Sequence, residues 1–585
     1  MEKEVFTKER LRQKIALVAI LLLYALALSS VNFISLLQDG TLLGKELYQD
    51  TSYHLMRLQS IADGLRGGQF PVKVYPNALN GYGYASPLFY PDFFLYLPAV
   101  WMLLGMPLGW AYACFLSVLL CLTAIFYYLF ARRFFAPLPA AFAAGMFVSG
   151  NYTYSVFFYM NAVGQASAAC FSPLVMLGVY NMLKEDFSKP WILLVAMLGV
   201  TYSHTISLFL WALFLVVLVL VNAKKLFADA VWWKKTLLIF GAYLLMSAAY
   251  LLPLAEQMLS ADFYHEVAAW AKLSNQATHI GSVFLRFGVP LTSAVVEYSV
   301  GLIVVACFVL RFFIRKTEEN AATLKLVNRM MIAIVLSQLC ATNLFPWKLL
   351  EGTIFNSIQF PSRLLMLTAP LTPLCIVLIV REFAKSPVGR IRFPRPTAAV
   401  LAAFLLVFSA GYDMFFLPPD DKTVLDLKEI YAYTGGGEWY PIYENAYAEK
   451  DGEPIVYVTN TSSTVLRDQN NRKIEYERAE NTLTFAWEGE EGGVYTLPLL
   501  YYKGYAATDE YGNALPVEAD GWARVTVTAK QSGTITLYYK GTAAQTASMW
   551  CSAAASVLTL AGFSIASIEK TKKNPKKSKK VRKNS

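Results

Sequence analysis

The sequence predicts a mainly α-helical protein that crosses a membrane many times and carries a β-sandwich before its last span. Of the 585 residues, 56% are hydrophobic and only 16% are charged, whereas soluble proteins carry about a quarter charged residues. Apolar runs near the roughly 20 residues that a spanning helix needs recur along the chain. One long polar region, residues 417–548, interrupts these runs near the carboxyl end. Together these features favour a polytopic membrane protein with one external domain.

The first apolar run is predicted to be an uncleaved span with a cytoplasmic amino terminus. The basic segment MEKEVFTKERLRQK precedes the apolar run 15–37, which is long enough to span and lacks a small-residue cleavage site. Lys and Arg concentrate in cytoplasmic loops, so the later short basic loops set the orientation of the rest. These loops are 131–135, 184–189, 223–235, 311–329 and 381–395.

Residues 1–416 are predicted to form the membrane module, with one large external loop, 38–109, after the first span. Within this loop, 87–109 is apolar, but counting it as a span would place Arg132 and Arg133 outside. We therefore expect a proline-broken aromatic helix along the outer surface. This assignment gives twelve predicted spans, with both termini in the cytoplasm. The spans are 15–37, 110–130, 136–149, 166–183, 190–203, 205–222, 236–252, 291–313, 329–345, 363–381, 396–416 and 549–567.

Residues 417–548 are predicted to be an extracellular antiparallel β-sandwich. The stretches LTFAWEG, VYTLPLLYYKGYAA, WARVTVTA and GTITLYYKG alternate in the manner of short strands, and YGNAL, EADG and QSG separate them. The region is acidic and holds none of the seven cysteines, so no disulfide is expected there. It is interpreted either as a polymer-binding or acceptor-positioning module or as a structural cap.

The tail 568–585, IEKTKKNPKKSKKVRKNS, is expected to be cytoplasmic and to lie on anionic lipid. The net charge of +10 then mostly reflects the Lys and Arg residues of the predicted cytoplasmic loops and tail, and no nucleic-acid partner is predicted.

The stretch YQDTSYHLMRLQSI, at the start of the external loop, places three polar side chains on one helical face. Asp50, His54 and Arg57 stand at i, i+4 and i+7. All four histidines, His54, His204, His265 and His279, are predicted to lie on the outer side, which weakly favours a site there. The alternative for this stretch is an interfacial helix whose polar face is solvated.

Several motifs spread over the chain resemble one family. The order of an acid-bearing external loop, an aromatic PLFYPDFFLYLPAV stretch and a helix that ends in ARRFF resembles the GT-C class of membrane glycosyltransferases. More closely, the chain resembles the bacterial YfhO-like membrane proteins. The matching segments are GYGYASPLFYP, SPLVMLGVYNML, GVTYSHTISLFL, LLMSAAYLLPLAE, IQFPSRLL and VYTLPLLYYKGYAA.

The resemblance implies a bacterial cell-membrane enzyme that transfers a sugar from a polyprenyl-phosphate donor to a cell-envelope polymer or lipid on the outer face. By position in the first external loop, Asp50 would be the catalytic base, with Glu46 and Asp63 next in line. His54 would help to order the base. Arg57, Arg286 and Arg363 are candidates for the donor phosphate, because arginine binds phosphate in bidentate fashion. His204, between two short helices, is expected to line the same cavity.

One departure keeps other functions open. Relatives often carry charges where this chain reads MNAVGQ, with Asn161 and Gln165. No cofactor is predicted and no metal site is assigned, because no acidic cluster with metal-ligand spacing stands in the short outer loops, although a divalent metal is not excluded. A transporter or flippase of lipid-linked substrates would also explain an acid such as Glu297 inside an apparent helix. A non-catalytic envelope-assembly protein is the third interpretation.

Overall fold

The structure is a computed structural model that describes most of the chain. Its described residues are 2–43, 50–263, 272–280, 302–385, 422–423, 425–432, 441–442, 447–450, 453–456, 465–479, 482–487, 492–521, 524–530 and 532–573. Arg286, His265, Glu297 and Glu46, together with the predicted span 396–416, lie outside these residues.

The described membrane module is a bundle of helices of unequal length. Five of its helices are long and apolar enough to cross a membrane, and a sixth span results if one bent pair is counted as one, among the residues that are described. The helices, in chain order, are α1 Glu2–Asp39, α2 Asp50–Arg66, α3 Tyr96–Leu103, α4 Leu108–Ala131, α5 Pro137–Val148, α6 Asn151–Tyr154, α7 Val163–Lys184, α8 Trp191–Thr201, α9 Thr205–Val221, α10 Ala223–Phe227, α11 Ala230–Met258, α12 Leu302–Phe312, α13 Ala321–Cys340, α14 Leu365–Thr368, α15 Leu371–Lys385, α16 Leu427–Ala432 and α17 Ala543–Lys573.

Several helices are long and apolar enough to cross a membrane, in agreement with the predicted multi-pass membrane protein, while the count of twelve spans stays a prediction. The spanning candidates α1, α4, α7, α11 and α13 coincide with predicted spans. In contrast, α5 and α8 are apolar but have only 12 and 11 residues. The predicted span 363–381 is a pair of helices, Pro361–Thr368 and α15, bent by 47°. Pro370 lies in the break and Pro373 in the first turn of α15, and they explain the bend because proline removes a helical hydrogen bond.

The segment 87–109 holds no long helix. A turn of 3₁₀ helix at Phe93–Leu95 leads into the eight-residue α3, which ends at Leu103 and is followed by Gly105 with φ +96°. Eight residues rise about 12 Å, far short of the roughly 30 Å of a hydrocarbon core. The expectation of a broken, non-spanning helix agrees with these bounds.

The polar region contains the predicted sandwich. Its ten described strands are β7 Leu466–Asp468, β8 Lys473–Ile474, β9 Glu477–Ala479, β10 Thr482–Trp487, β11 Val494–Leu500, β12 Tyr505–Thr508, β13 Ala514–Leu515, β14 Val517–Ala519, β15 Arg524–Thr528 and β16 Gly533–Tyr539. They form two five-stranded antiparallel sheets with strand orders β13-β12-β16-β10-β9 and β14-β15-β11-β7-β8. Their inward side chains, such as Phe485, Leu497, Val527 and Ile535, form one buried apolar core.

Six further strands lie outside the sandwich: β1 Leu42–Leu43, β2 Asp262–Phe263, β3 Lys422–Thr423, β4 Pro441–Ile442, β5 Tyr447–Lys450 and β6 Glu453–Val456. Two of their pairs connect the polar region to the membrane module, since β1 pairs with β3 and β2 pairs with β4. Asn80 also donates its backbone N–H to the carbonyl of Tyr431 in α16 at 3.1 Å. Strand β3 and helix α16 thus contact the region that follows α1, and strand β4 contacts the chain that follows α11.

The sandwich docks on the loop that follows α2. Leu500 donates its backbone N–H to the Tyr82 carbonyl at 2.9 Å. Arg478 donates to the carbonyls of Gly81 and Pro76. The GYGYAS sequence is therefore a contact surface for the sandwich, and it continues directly into the PLFYPD sequence that builds the candidate site.

Candidate functional site

Helix α2 begins at Asp50, and its polar face is buried. His54 is 2% exposed and Arg57 is 1% exposed, while Leu55, Leu58 and Ile61 pack into the core on the other side. A solvated interfacial helix does not fit these values. Asp50 differs from the other two because it lies half-buried at the first turn.

Arg57 is held by the PLFYPD sequence, residues 87–92. Its Nε donates to Asp92 Oδ1 at 3.0 Å, one Nη2–H also contacts that oxygen, and Nη2 donates to the Pro91 carbonyl at 2.7 Å. Tyr75 donates its hydroxyl to the other carboxylate oxygen of Asp92. Both ion-pair partners are buried, with side-chain exposures of 1% and 5%. This pair fixes the turn that leads into α3.

The charge of Asp92 keeps Arg57 protonated in spite of its burial. Burial is the largest single influence and lowers the pKa of Arg57, but Asp92 together with the surrounding tyrosines raises it by more, so the net pKa lies above its ordinary value. Arg57 was predicted to contact a donor phosphate. That contact stays a prediction, and in this arrangement the guanidinium is already paired with a carboxylate.

His54 is neutral and has one fixed tautomer. Arg57 Nη1 lies 3.0 Å from His54 Nδ1. Arginine only donates hydrogen bonds, so Nδ1 accepts and the ring proton stands on Nε2. Burial lowers the pKa of His54 well below its ordinary value, and the charge of Arg57 lowers it further. His54 therefore offers a hydrogen-bond donor, Nε2–H, without a positive charge.

His204 repeats this arrangement at the start of α9. The predicted break between two helices at His204 is confirmed, since His204 is the N-cap of α9 and its Nδ1 accepts from the Ser207 backbone N–H at 3.1 Å. A backbone N–H is always a donor. The proton of His204 therefore also stands on Nε2.

Tyr90 lies between these groups. Its ring centroid is 6.0 Å from that of His54, 5.5 Å from that of His204 and 4.1 Å from the guanidinium carbon of Arg57. The last distance is typical of a cation–π contact. A Cβ added at Gly164, in the first turn of α7, would stand 2.1 Å from the Tyr90 hydroxyl oxygen. The tyrosine thus connects α2, α7 and α9.

Arg363 approaches the same region from the broken helix. Its Nη1 donates to the Ile358 carbonyl at 2.9 Å and to Gln359 Oε1 at 2.6 Å. The helix α14 that follows it packs against α7 and α9. Burial raises the pKa of Tyr90 above its usual range, and the charges of Arg57 and Arg363 oppose this rise. Arg363 is therefore close enough to contribute positive charge at Tyr90.

The structure brings three of the six predicted site residues, His54, Arg57 and His204, against Tyr90. Asp50 and Arg363 lie near enough for their charges to influence the pKa of Tyr90, whereas Arg286 lies outside the described residues. In the described part of the chain, no three His, Cys, Asp or Glu side chains are grouped to hold a metal ion.

Sequence reasoning missed Asp92, Tyr75 and Tyr90, which build the centre of the group. One signal was present, because Asp92 is an acid within an aromatic, apolar stretch. A carboxylate in such a stretch requires a partner.

Comparison with known proteins gives little further information. No protein-family model matches the chain. It is similar to an uncharacterized protein of Lactococcus lactis subsp. cremoris (strain MG1363), with 26% identity over 164 residues, which are 27% of each chain. The chain thus spans about a quarter of the length of the curated relative that it matches.

Proposed function

We propose that the protein is a membrane glycosyltransferase that uses a polyprenyl-phosphate-linked sugar as donor and a hydroxyl group of a cell-envelope polymer or lipid as acceptor. The observation that carries this proposal is the grouping of one half-buried carboxylate, Asp50, with Arg363 and two neutral imidazoles around Tyr90. Sugar transfer from a phosphate needs a base at the acceptor and positive charge or donors at the leaving group.

In the proposed step, the acceptor hydroxyl oxygen forms a bond to the anomeric carbon while the bond between that carbon and the phosphate oxygen breaks. The polyprenyl phosphate leaves with the electron pair, and the hydroxyl proton goes to Asp50. One displacement of this kind inverts the anomeric configuration. Arg363 and the Nε2–H groups of His54 and His204 would stabilise the charge on the leaving phosphate.

Arg57 is proposed to be a positioning residue. Its contacts to Asp92 and Pro91 fix the turn that carries Tyr90, and its contact to His54 fixes the tautomer of that ring. The outer face of the cell membrane is the proposed location of the site, following the distribution of Lys and Arg among the loops.

The test is sugar transfer by the full-length protein in proteoliposomes, with a panel of polyprenyl-phosphate sugars and envelope glycans or lipids as acceptors. Asp50→Asn keeps the size of the side chain and removes the base, so a loss of several orders of magnitude in transfer rate is expected with donor binding retained. Asp186→Asn is the matched control, because Asp186 is exposed and its φ of +50° suits asparagine.

Two outcomes would contradict the proposal. Full activity of Asp50→Asn would move the base elsewhere, to Glu46 or Asp63. If the wild-type protein transferred none of the donors, a non-catalytic role in envelope assembly, or transport of a lipid-linked substrate, would be favoured instead.

A further inference from the structure

Arg478 stands on the inward face of the sandwich, at the end that meets the first external loop. On β9 it pairs with Leu483, whose side chain belongs to the apolar core, and directly opposed residues share one face of a sheet. Tyr505 and Tyr539 oppose each other on β12 and β16, with ring centroids 5.1 Å apart. A charged side chain and two tyrosines thus stand where the apolar core of the sandwich ends.

These three side chains line an open cleft between the sandwich and the first external loop. Val74 and Pro76 of the loop also line it. The cleft has a volume of about 350 Å³ including its mouth, of which about 30 Å³ is wide enough for water. One water needs roughly 10–15 Å³ of such space, so the inner part holds about two oxygen atoms. It fits a small polar group rather than a whole sugar ring.

Arg478 and Tyr505 bring unused hydrogen-bond donors to this cleft. Arg478 is half-buried, and its Nη1 and Nη2 donate to the carbonyls of Gly81 and Pro76. A guanidinium has five N–H donors, so three remain. These three and the hydroxyl of Tyr505 have no hydrogen-bond partner among the residues that the structure describes. Donors grouped in this way favour an anionic acceptor.

The described residues give Arg478 no carboxylate partner, in contrast to Arg57. Burial lowers the pKa of Arg478, and the groups that oppose this shift are Tyr505 and Tyr476. At Arg57 the first such group is Asp92, which accepts from both Nε and Nη2. A partly buried charge without a counter-charge is unfavourable, and an incoming carboxylate would supply one.

The cleft and the candidate site share one short stretch of the first external loop. Val74 and Pro76 line the cleft, while the hydroxyl of Tyr75 between them donates to Asp92. Two backbone hydrogen bonds of 2.8 and 3.1 Å hold Tyr75 against Tyr84. A polymer bound in the cleft would therefore be anchored beside the candidate site.

We propose that this cleft binds the carboxylate of an acidic sugar in the acceptor polymer, through the free N–H groups of Arg478 and the hydroxyl of Tyr505. This inference deepens the proposed function, on which it rests, by naming a class of acceptor. The inner space suits the two oxygens of one carboxylate, and the tyrosine rings offer apolar faces to the sugar that carries it. Because residues 417–548 are acidic overall, the expected ligand has isolated carboxylates rather than a dense negative charge.

The experiment measures the affinity of the full-length protein in nanodiscs for cellobiouronic acid and for cellobiose, which differ in one carboxylate. The wild type should prefer the acid by about tenfold or more. Tyr505→Phe keeps the ring that packs on Tyr539 and removes one donor. We expect it to weaken binding of the acid by roughly three- to tenfold and to leave binding of cellobiose unchanged. Arg478→Gln removes the charge and should abolish the preference for the acid.

The matched controls are Tyr501→Phe and Arg472→Gln, which make the same changes in the sandwich outside the cleft and should leave both affinities unchanged. If Arg478→Gln does not fold because its contacts to the loop are lost, Tyr505→Phe still decides, since it keeps those contacts. Equal affinities of the wild type for the two disaccharides, or wild-type affinity of Tyr505→Phe for the acid, would overturn the proposal.

A peptide terminus is the other source of a single carboxylate. Trialanine and its carboxyl-terminal amide should bind equally weakly. Trialanine that binds more tightly than both its amide and cellobiouronic acid, and loses this affinity in Arg478→Gln, would overturn the assignment to a sugar. Binding as expected without any sugar transfer would refute the proposed function and leave this site standing. Sugar transfer by a protein whose affinities neither cleft variant changes would refute the site alone.

Discussion

The buried ion pair between Arg57 and Asp92 predicts a large and specific loss of stability when one charge is removed. Asp92→Asn keeps an oxygen that accepts from Arg57 Nε and keeps a group beside the Tyr75 hydroxyl, so the main change is the loss of the negative charge. At the observed 3.0 Å, and with an effective dielectric constant of about 20, the attraction between the two charges is about 5 kcal/mol. Part of this is recovered because the carboxylate no longer has to be desolvated. We therefore expect a loss of about 3 kcal/mol, at the lower end of the values for breaking buried pairs.

The assay is thermal unfolding in detergent, followed through the thiols of Cys170 and Cys375. Both cysteines are 0% exposed in the folded protein and react with a maleimide dye only when their surroundings open. Arg66→Gln is the matched control on the same helix, because the Arg66–Asp63 pair is exposed and is expected to contribute no more than about 1 kcal/mol. Asp92→Asn should melt well below this control.

A double variant separates the lost pairing from other causes. Arg57→Met alone leaves Asp92 buried without its counter-charge, whereas Arg57→Met with Asp92→Asn leaves no buried charge. Because replacing both members of a buried pair is often nearly neutral, the double variant should recover most of the stability that either single variant loses. Wild-type melting of Asp92→Asn, or a double variant that melts no higher than the singles, would refute the reasoning.

Three further predictions follow from the same structure. In the folded protein His54 stays neutral because its pKa is lowered, whereas in the unfolded chain it takes up a proton near pH 6.5. The stability of the folded protein should therefore decrease as the pH falls below 6.5. This decrease should be smaller in His54→Asn when melting temperatures are compared at pH 7.5 and pH 5. Equal pH dependence of the two proteins would contradict this. Gly164→Ala should destabilise the folded protein, because the new Cβ would stand 2.1 Å from the Tyr90 hydroxyl oxygen. Gly241→Ala in α11, where a Cβ would have nothing within 4 Å, should instead stabilise the fold by roughly 0.5–1 kcal/mol. Melting temperatures that shift in the same direction in both variants would exclude the steric explanation. In a cysteine-free background, Leu104→Cys should label only from outside and Ala136→Cys only from inside, because both positions are exposed and the predicted orientation puts them on opposite sides of the membrane. Labelling of Ala136→Cys from outside would overturn the predicted orientation.

The sequence predicted the elements whose pattern repeats locally. The strands β10, β11, β15 and β16 lie where alternation of apolar and polar residues placed them, because one face of each is buried in the sandwich core. The long apolar helices were equally predictable from hydropathy. Hydropathy cannot distinguish a full span from a short apolar helix such as α8, which ends at Thr201 although a second apolar helix, α9, begins only a few residues later at the N-cap His204.

The candidate site was predictable only in part, for a different reason. Asp50, His54 and Arg57 were found because their spacing of four and three residues brings them to the same face over about two helical turns. The partner of Arg57 lies 35 residues further along the chain, and nothing in the local pattern of either segment specifies that contact. The same holds for Tyr90, which meets His54, His204 and Gly164 only after three helices have packed together.

The ion pair between Arg57 and Asp92 also sets the charge around Tyr90. Asp92 neutralises Arg57, so among the described residues it is Arg363 whose charge still acts on Tyr90, while both imidazoles are uncharged donors. If Arg57 lacked this partner, the fold would have to hold two like charges near one tyrosine in the absence of a ligand. Pairing Arg57 internally also fixes Tyr90 and His54 in place. In the proposed transfer reaction the leaving phosphate would then meet one arginine charge rather than two, and a less positive site would release the product more readily.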